Sequence, residues 1–227
     1  HYLNKPEVSR IWTLARHGKD AWTKRFGWHT QRAKEEWFPN CYWAVDGTKL
    51  DWIHFEDNGI GMAAKLKINP LIDVHSEKII GWSYSTTEDH TDHFTALKMA
   101  VATAGVRPYL LTYDNQSGHK SARMQELYSD VVAQEGGTHY PHRAYRKSNP
   151  IEQVFNRLQQ QVLNKMWFSD GQSIKVRNEN NAPNMDFIKD NKWRLKDQQT
   201  LFKYWQACVD AWNNARHPRF KNMSRTE

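Results

Sequence analysis

Three stretches rich in aromatic and β-branched residues follow one another early in the chain, and they constrain the fold more than any other feature. They read CYWAVDGTKLDWIHF at residues 41–55, MAAKLKINPLIDVH at 62–75 and KIIGWSYST at 78–86. Such composition is typical of β-strands. Because short polar connections separate the stretches, we expect three neighbouring antiparallel strands, with a turn near Gly47 in the first.

Helices and strands alternate after this point. TDHFTALKMAVATAG predicts a helix that Thr91 or Asp92 caps and Gly105 ends, and RPYLLTYD predicts a short buried strand. A helix around residues 121–134, a short strand at GGTHY and a helix from Pro150 to about residue 168 follow. The order βββαβαβα predicts an α/β fold, a mixed five-stranded sheet whose three antiparallel strands come first and whose faces carry helices.

The chain divides into four predicted segments. Residues 1–40 form a helical, basic extension, and residues 41–168 form the α/β core. Residues 169–197 are polar and Asn-rich, which predicts an irregular insertion or linker. Residues 198–227 form a terminal helix and tail, whose helix carries apolar side chains on one side: Leu201, Trp205, Cys208 and Trp212.

Charge and cysteine content favour an intracellular protein that binds polyanions. The 32 Lys and Arg exceed the 25 Asp and Glu, giving a net charge of +7. Two distant cysteines argue against a zinc site or disulfide framework and for a cytoplasmic location. No apolar run is long enough to cross a bilayer, so we expect no membrane partner. Since the chain opens with His1 and without a signal peptide, we expect a piece of a longer protein.

Two aspartates stand out because they accompany apolar strands. Asp46 lies inside YWAVDGTKL, and Asp114 ends YLLTYD. A charge in such a place is costly unless it is paired, hydrogen-bonded or bound to a metal, although Asp114 alone could cap a turn. In the predicted sheet these two strands can lie side by side, and the helix from Pro150 can lay Glu152 across them.

Glu152 has two readings. Asn149 can cap the helix and Glu152 follows it by three residues, which is the spacing of a capping box. At 100° per residue, Glu152, Asn156 and Gln159 also form a polar strip. It lies beside an apolar stripe of Ile151, Val154, Phe155, Leu158 and Val162. Glu152 then lies at the border between buried and solvent-exposed surface, where a metal-binding carboxylate is expected. The two roles are compatible, and both stay open.

Three convergent oxygen ligands without a His or Cys partner suit hard cations, Mg²⁺ or Mn²⁺. A pair of such ions can activate an attacking oxygen and stabilise a leaving one. The carboxylates therefore point to phosphodiester chemistry, for which the basic surface offers a complement.

The blocks WAVDGTKLDW, LIDVHSEKIIGWSYS, LLTYDNQSGH and SNPIEQVFNRLQQQV, taken in order, resemble the catalytic core of retroviral integrases and DDE transposases. The nearest likeness is to the phage Mu transposase type. It covers roughly residues 41–168, and the tail WNNARHPRFKNMSRTE is also similar to sequence that follows many such cores. The 37 residues between Asp114 and Glu152 are close to the family's usual spacing.

The resemblance implies an RNase H-like fold and a Mg²⁺-dependent polynucleotidyl transferase that cleaves a DNA 3′ end and joins it to target DNA. Asp46 would bridge two ions, Asp114 would hold one and Glu152 the other, with Mn²⁺ able to substitute. The implied partners are element-end and target DNA, on which copies of the chain assemble into a homo-oligomer.

The sequence departs from the family pattern in two places. The family often has Gly directly after the Asp-Asn of the second acid, whereas Gln116 and Ser117 precede Gly118 here. The helix after Glu152 often carries a Lys where Gln159 or Gln160 stands here. These departures bear on DNA contacts more than on metal ligands.

Basic side chains just before this helix are candidate phosphate contacts, with two asparagines of the helix beside them: Arg143, Arg146, Lys147, Asn149 and Asn156. An ordinary solvated basic loop is the alternative. The N-terminal cluster of Arg16, Lys19, Lys24, Arg25 and Arg32 invites the same two readings. EDHTDH at residues 88–93 could bind metal, but a solvated helix start with acids near the positive dipole end is the simpler explanation.

Two other functions remain open. A nuclease of the same fold would hydrolyse DNA without joining it to a second molecule. A DNA-binding module with an inactive site is the third possibility, although the presence of all three acids argues against it.

Overall fold

The computed structural model describes residues 2–27, 37–87, 89–115, 117–133, 135–142, 149–170, 183–220 and 222–227, without the side chain of Lys24. The chain divides into two compact units, residues 1–36 and 37–227. In the described ranges, no helix combines the length and apolarity that crossing a membrane requires.

The first unit is built around α1 (Pro6–Phe26), which is broken at Gly18. Gly18 has φ 78° and ψ 177°, a conformation that L side chains rarely adopt. The break lets the two halves meet, because the Arg10 guanidinium lies 5.9 Å from the centre of the Phe26 ring. Of the segment predicted to be helical, residues 1–40, the described part contains a single 3-10 turn at Tyr2–Asn4 and α1, whereas residues 37–40 are not helical.

In its described residues, the second unit contains eight short strands in two sheets. The strands are β1 Tyr42–Val45, β2 Thr48–Lys49, β3 Lys67–Ile68, β4 Leu71–Asp73, β5 Ile79–Gly81, β6 Tyr84–Ser85, β7 Leu110–Tyr113 and β8 Thr138–Pro141. A five-stranded sheet has the order β5-β4-β1-β7-β8, and a three-stranded sheet has the order β2-β3-β6. In the larger sheet β1, β4 and β5 are antiparallel, while β7 and β8 join β1 in parallel.

The predicted mixed five-stranded sheet is confirmed, but each of the three long predicted strands is split in two. The breaks lie at Asp46 and Gly47, at Asn69 and Pro70, and at Trp82 and Ser83. Proline cannot donate a ladder hydrogen bond, so Pro70 interrupts its strand, and its carbonyl accepts the Asp46 N–H at 3.4 Å. One piece of each split strand pairs in the smaller sheet: β2, β3 and β6.

The remaining helices are α2 His90–Ala104, α3 Ala122–Val131, α4 Pro150–Gln161, α5 Met185–Asp190 and α6 Gln198–Asn214. The predicted cap of α2 is wrong: Asp89 caps it and accepts the Thr91 and Asp92 N–H groups. Gly105 ends α2 in the left-handed conformation, as predicted. α4 ends well before residue 168, and α5 is a short helix within a segment predicted to be irregular.

The sheet separates two apolar clusters, because successive side chains of a strand point to opposite faces. Tyr42 and Ala44 pack with α4 and α6 on one face, whereas Trp43 and Val45 pack with α2 and α3 on the other. The predicted apolar side of α6 is buried throughout. β1 is therefore the centre of the core, and its carboxyl end is held firmly from both faces.

Candidate functional site at the carboxyl ends of β1 and β7

Asp46 and Asp114 follow the carboxyl ends of two neighbouring parallel strands. β1 pairs with β7 from Tyr42 opposite Leu110 to Ala44 opposite Thr112. The same register, continued by two residues, sets Asp46 opposite Asp114. Neighbouring strands lie about 4.8 Å apart, and parallel strands end at one edge of the sheet. The structure thus places both predicted aspartates two residues past paired strand positions, at one edge of the sheet.

The N-terminus of α4 lies against Asp46. The Asn149 amide Nδ2 donates to Asp46 Oδ2 at 3.4 Å, and Asn149 Oδ1 accepts the Ile151 N–H at 3.2 Å. The predicted cap at Asn149 is confirmed, and Glu152 lies half-buried in the first turn of α4. The reciprocal bond of a capping box, from the Asn149 N–H to Glu152, stays a prediction.

α4 is fixed to the rest of the unit on two sides. Four residues of its predicted apolar stripe are buried, Ile151, Val154, Phe155 and Leu158, whereas Val162 follows the end of α4 and is half-buried. On another side, Arg157 Nη2 donates to Glu77 Oε2 at 2.6 Å, and the Glu77 side chain is only 7% exposed. Asn156 stays exposed and Gln159 half-buried, so a polar strip runs from Glu152 along the helix.

Asp114 contacts a histidine that the sequence pattern did not single out. Its Oδ1 lies 3.3 Å from His119 Nε2, and His119 is fully buried. Burial, with a smaller effect of His93, lowers the pKa of His119 to about 3, so the ring is neutral and the contact is not an ion pair. His119 belongs to the block LLTYDNQSGH, five residues after the acid, but spacing alone gives no reason to choose it.

The side chains of Asp46, Asp114 and Glu152 are of the type that binds a hard divalent cation, because all three are carboxylates on adjoining elements. Within the described ranges, no three acidic, histidine or cysteine side chains are grouped closely enough to hold an ion as they stand. Like charges at close range repel, which opposes such a grouping without a cation. The elements that carry the three acids, β1, β7 and α4, adjoin one another. That the three carboxylates come close enough to share metal ions stays a prediction.

Several predicted contacts fall elsewhere. Arg143, Arg146, Lys147 and Arg32 lie outside the described residues. Asn149 is 7% exposed. At residues 88–93, Asp89 and Asp92 form a capping box and His93 is buried, which accounts for these acids as a helix start; Glu88 is not described.

The order and pairing of the five-stranded mixed sheet, with helices on both faces, match the RNase H-like fold of integrase cores, and Asp46 and Asp114 follow the ends of β1 and β7. A family model described as the integrase core domain matches residues 39–147, just under half of the chain. Among curated proteins, no sequence matches.

Solved structures share the fold at low sequence identity. A chain of the simian T-cell lymphotropic virus intasome in complex with PP2A regulatory subunit B56 gamma is 15% identical, with a TM-score of 0.55 over 87% of this chain. The match covers 56% of that chain, so this protein spans little more than half its length.

The HTLV-2 integrase catalytic core domain in complex with magnesium is 13% identical in its dimeric form and 14% in its trimeric form. Both have a TM-score of 0.51 and cover 84% of this chain and 96% of that one. At 13–15% identity, these neighbours show that the chain shares their fold.

Proposed function

We propose that the chain is the catalytic core of a DNA transposase or integrase. It hydrolyses a phosphodiester at a DNA 3′ end and then transfers the freed 3′-OH to target DNA by in-line attack. One arrangement supports the proposal. β1 and β7 pair in parallel up to Ala44 and Thr112, Asp46 and Asp114 each follow two residues later, and Asn149 ties the start of α4 to Asp46.

The residues proposed to hold the metal are Asp46, Asp114 and Glu152. When bound, two Mg²⁺ ions, or Mn²⁺ in their place, activate the attacking oxygen and stabilise the leaving oxygen. The all-oxygen donor set supports this assignment, as does the HTLV-2 core domain whose structure is described as a complex with magnesium.

The chain's own residues orient the carboxylates. Asn149 donates to Asp46 and limits its rotation, while the stripe and the Arg157–Glu77 pair hold α4 in place. Glu152, in the first turn, is therefore carried on a helix that two independent contacts fix. Such preorganisation matters because catalytic geometry tolerates only small displacements.

DNA is proposed to cross the polar strip of α4. Asn156 is exposed about one turn after Glu152, on the same side of the helix, so a strand bound at Glu152 reaches it. Arg143, Arg146 and Lys147 lead into the helix and supply positive charge for phosphates. Asn149 is nearly buried, so any DNA contact it makes comes beside its bond to Asp46.

The proposal also covers the domain organisation of the chain, its assembly on DNA and its location. Residues 41–168 form the catalytic core, with residues 1–40, 169–197 and 198–227 as extensions, and copies assemble on DNA inside the cell. Relatives described as an intasome and as a dimeric core support assembly in general. A Mu-type relationship is the finer expectation.

The test is a joining assay in the presence of Mg²⁺ or Mn²⁺. Labelled duplex oligonucleotides with recessed 3′-OH ends of varied sequence supply the attacking end, and a supercoiled plasmid is the target DNA. We expect the 227-residue chain to give joined products, and Asp46→Asn, Asp114→Asn or Glu152→Gln to abolish them. Asp130→Asn, an exposed acid on α3, is the matched control and should join normally.

The outcomes separate the candidates. Nicked plasmid without joined product would favour the nuclease. DNA binding without either product, unaffected by the three substitutions, would favour the inactive binding module. Loss of joining in all three variants, with the control active, supports the transferase.

A further inference from the structure

The turn after Asp114 is packed against both α2 and α3. It contains a single 3-10 turn, Gly118–Lys120, and its His119 side chain is fully buried. A Cβ at Gly118 would lie 3.2 Å from His93 Nε2, so glycine allows this close approach to α2. Gln125 of α3 donates through Nε2 to the His119 carbonyl at 2.7 Å and to the Tyr113 hydroxyl at 3.0 Å.

The His119 ring is held by aromatic contacts on two sides. Its centre lies 3.8 Å from that of His93 and 5.1 Å from that of Tyr113, both in stacked arrangements. Its Nδ1 lies 2.5 Å from the Tyr128 hydroxyl. Because stacking fixes the ring plane and the hydrogen bond fixes its rotation, His119 has one orientation.

The Asp114 carboxylate, 3.3 Å from Nε2, can only accept a hydrogen bond, which favours the tautomer with the imidazole proton on Nε2. Nδ1 is then an acceptor, and the Tyr128 hydroxyl, which can donate or accept, donates to it. Burial raises the pKa of Tyr128, which keeps this donor protonated. Nε2 is then an N–H group that points towards Asp114 Oδ1, 3.3 Å away.

In the described part of the chain, this N–H has no hydrogen-bond acceptor other than Asp114 within reach. Nε2 is buried and forms no aligned hydrogen bond there, and the contact with Asp114 is close in distance but poorly aligned. A buried polar group without an aligned partner destabilises the folded chain. A small rotation of the Asp114 carboxylate would satisfy it.

We propose that His119 is a positioning residue: it donates its Nε2–H to Asp114 and sets the orientation in which that carboxylate receives the metal ion. Tyr128 and the stacked His93 and Tyr113 hold His119 for this purpose. The inference rests on the proposed function, because it gives His119 a role only if Asp114 binds metal. Groups that orient a ligand in this way change metal affinity by about 10–100-fold when removed.

The test measures Mn²⁺ binding by electron paramagnetic resonance on the 227-residue chain, with thermal unfolding as a check on folding. We expect His119→Leu to weaken Mn²⁺ binding by about 10–100-fold. His119→Gln, whose amide can donate from near the Nε2 position, should bind close to wild type. Tyr128→Phe, which removes only the hydroxyl, should weaken binding less than His119→Leu.

Two further variants isolate the role of Asp114. His119→Leu should have no additional effect in an Asp114→Asn background, because the group it positions is already changed. His217→Leu removes a buried histidine of the C-terminal tail and should leave Mn²⁺ binding unchanged.

Equal Mn²⁺ binding by wild type and Asp114→Asn would remove the metal role of Asp114, and with it the proposed function. Weakened binding in Asp114→Asn but wild-type binding in His119→Leu and Tyr128→Phe would overturn the positioning role alone. If His119→Leu does not fold, Tyr128→Phe decides: weaker binding supports the role and unchanged binding overturns it.

Discussion

The Asn149 side chain joins the start of α4 to the end of β1, since its amide donates to Asp46 at 3.4 Å and accepts the Ile151 N–H at 3.2 Å. One residue thus serves both as a helix cap and as a partner of the first acid. Helix stability and carboxylate orientation are therefore coupled at this position, and two substitutions can separate them.

Asn149→Ala should lower the free energy of unfolding by about 1 kcal/mol, the usual cost of removing an N-cap, and should also reduce joining. Asn149→Ser keeps a capping oxygen but cannot reach Asp46 with an N–H group. It should unfold near the wild-type urea midpoint yet join DNA more slowly. Wild-type joining by Asn149→Ser at wild-type stability would show that the bond to Asp46 has no catalytic value.

Gly81 in β5 is a second position at which a substitution should change the free energy of unfolding by a predictable amount. A Cβ there would lie 2.2 Å from the Ala96 carbonyl oxygen and 2.8 Å from Ala100 Cβ, so sheet and helix would have to separate. Gly81→Ala should cost about 3 kcal/mol or more, the upper end for overpacking. Urea unfolding measures it.

Gly105→Ala is the matched control, because its added Cβ meets nothing within 4 Å although φ is 66°. It should cost about 1–2 kcal/mol through backbone strain alone. A smaller loss for Gly81→Ala than for Gly105→Ala would contradict the close packing of β5 on α2.

The order of elements could be predicted from local composition, whereas the breaks in the strands could not. Aromatic and β-branched runs identify strands, and Gly105 marks a helix end. That residues on either side of Pro70 belong to different sheets depends on pairing with distant segments. The cap at Asp89 was missed because Thr91 and Asp92 are equally good capping residues by type.

The sequence singles out the acids of the candidate site but not their surroundings. An acid inside an apolar stretch is unusual enough to be noticed, and the parallel pairing of β1 and β7 places Asp46 and Asp114 at the same edge of the sheet. His119 could not be chosen in the same way, because a histidine in a polar turn is ordinary until its burial and its contact with Tyr128 are known.

His54 gives the stability a pH dependence. It is fully buried and its ring nitrogen lies 3.3 Å from Gln198 Nε2. Burial is the main cause that lowers its pKa below the ordinary 6.5, despite the opposing effects of the Trp52 backbone and Glu56. As the pH falls below 6.5, the unfolded chain takes up a proton that folded His54 does not, so the free energy of unfolding decreases.

For this residue the decrease is at most about 1.4 kcal/mol per pH unit, and it ends below the folded-state pKa. His54→Gln removes the titrating group, so its unfolding free energy should fall less between about pH 7.5 and 5.5 than that of wild type. Urea unfolding at a series of pH values measures both slopes. Identical slopes would show that His54 titrates alike in the folded and unfolded chains.

The basic segment before α4 should determine how DNA affinity responds to salt. Removing one side chain that binds a phosphate should reduce the slope of log affinity against log salt by about 0.9 for duplex DNA. We therefore expect Arg143→Ala, Arg146→Ala and Lys147→Ala, combined, to lower the slope by up to about 3 units. The control combines Lys98→Ala, Arg107→Ala and Lys203→Ala, which removes equal charge from exposed positions elsewhere. Fluorescence anisotropy with a labelled duplex measures both slopes. Equal slopes for the two triple variants would show that the segment contributes only its charge and makes no specific phosphate contacts.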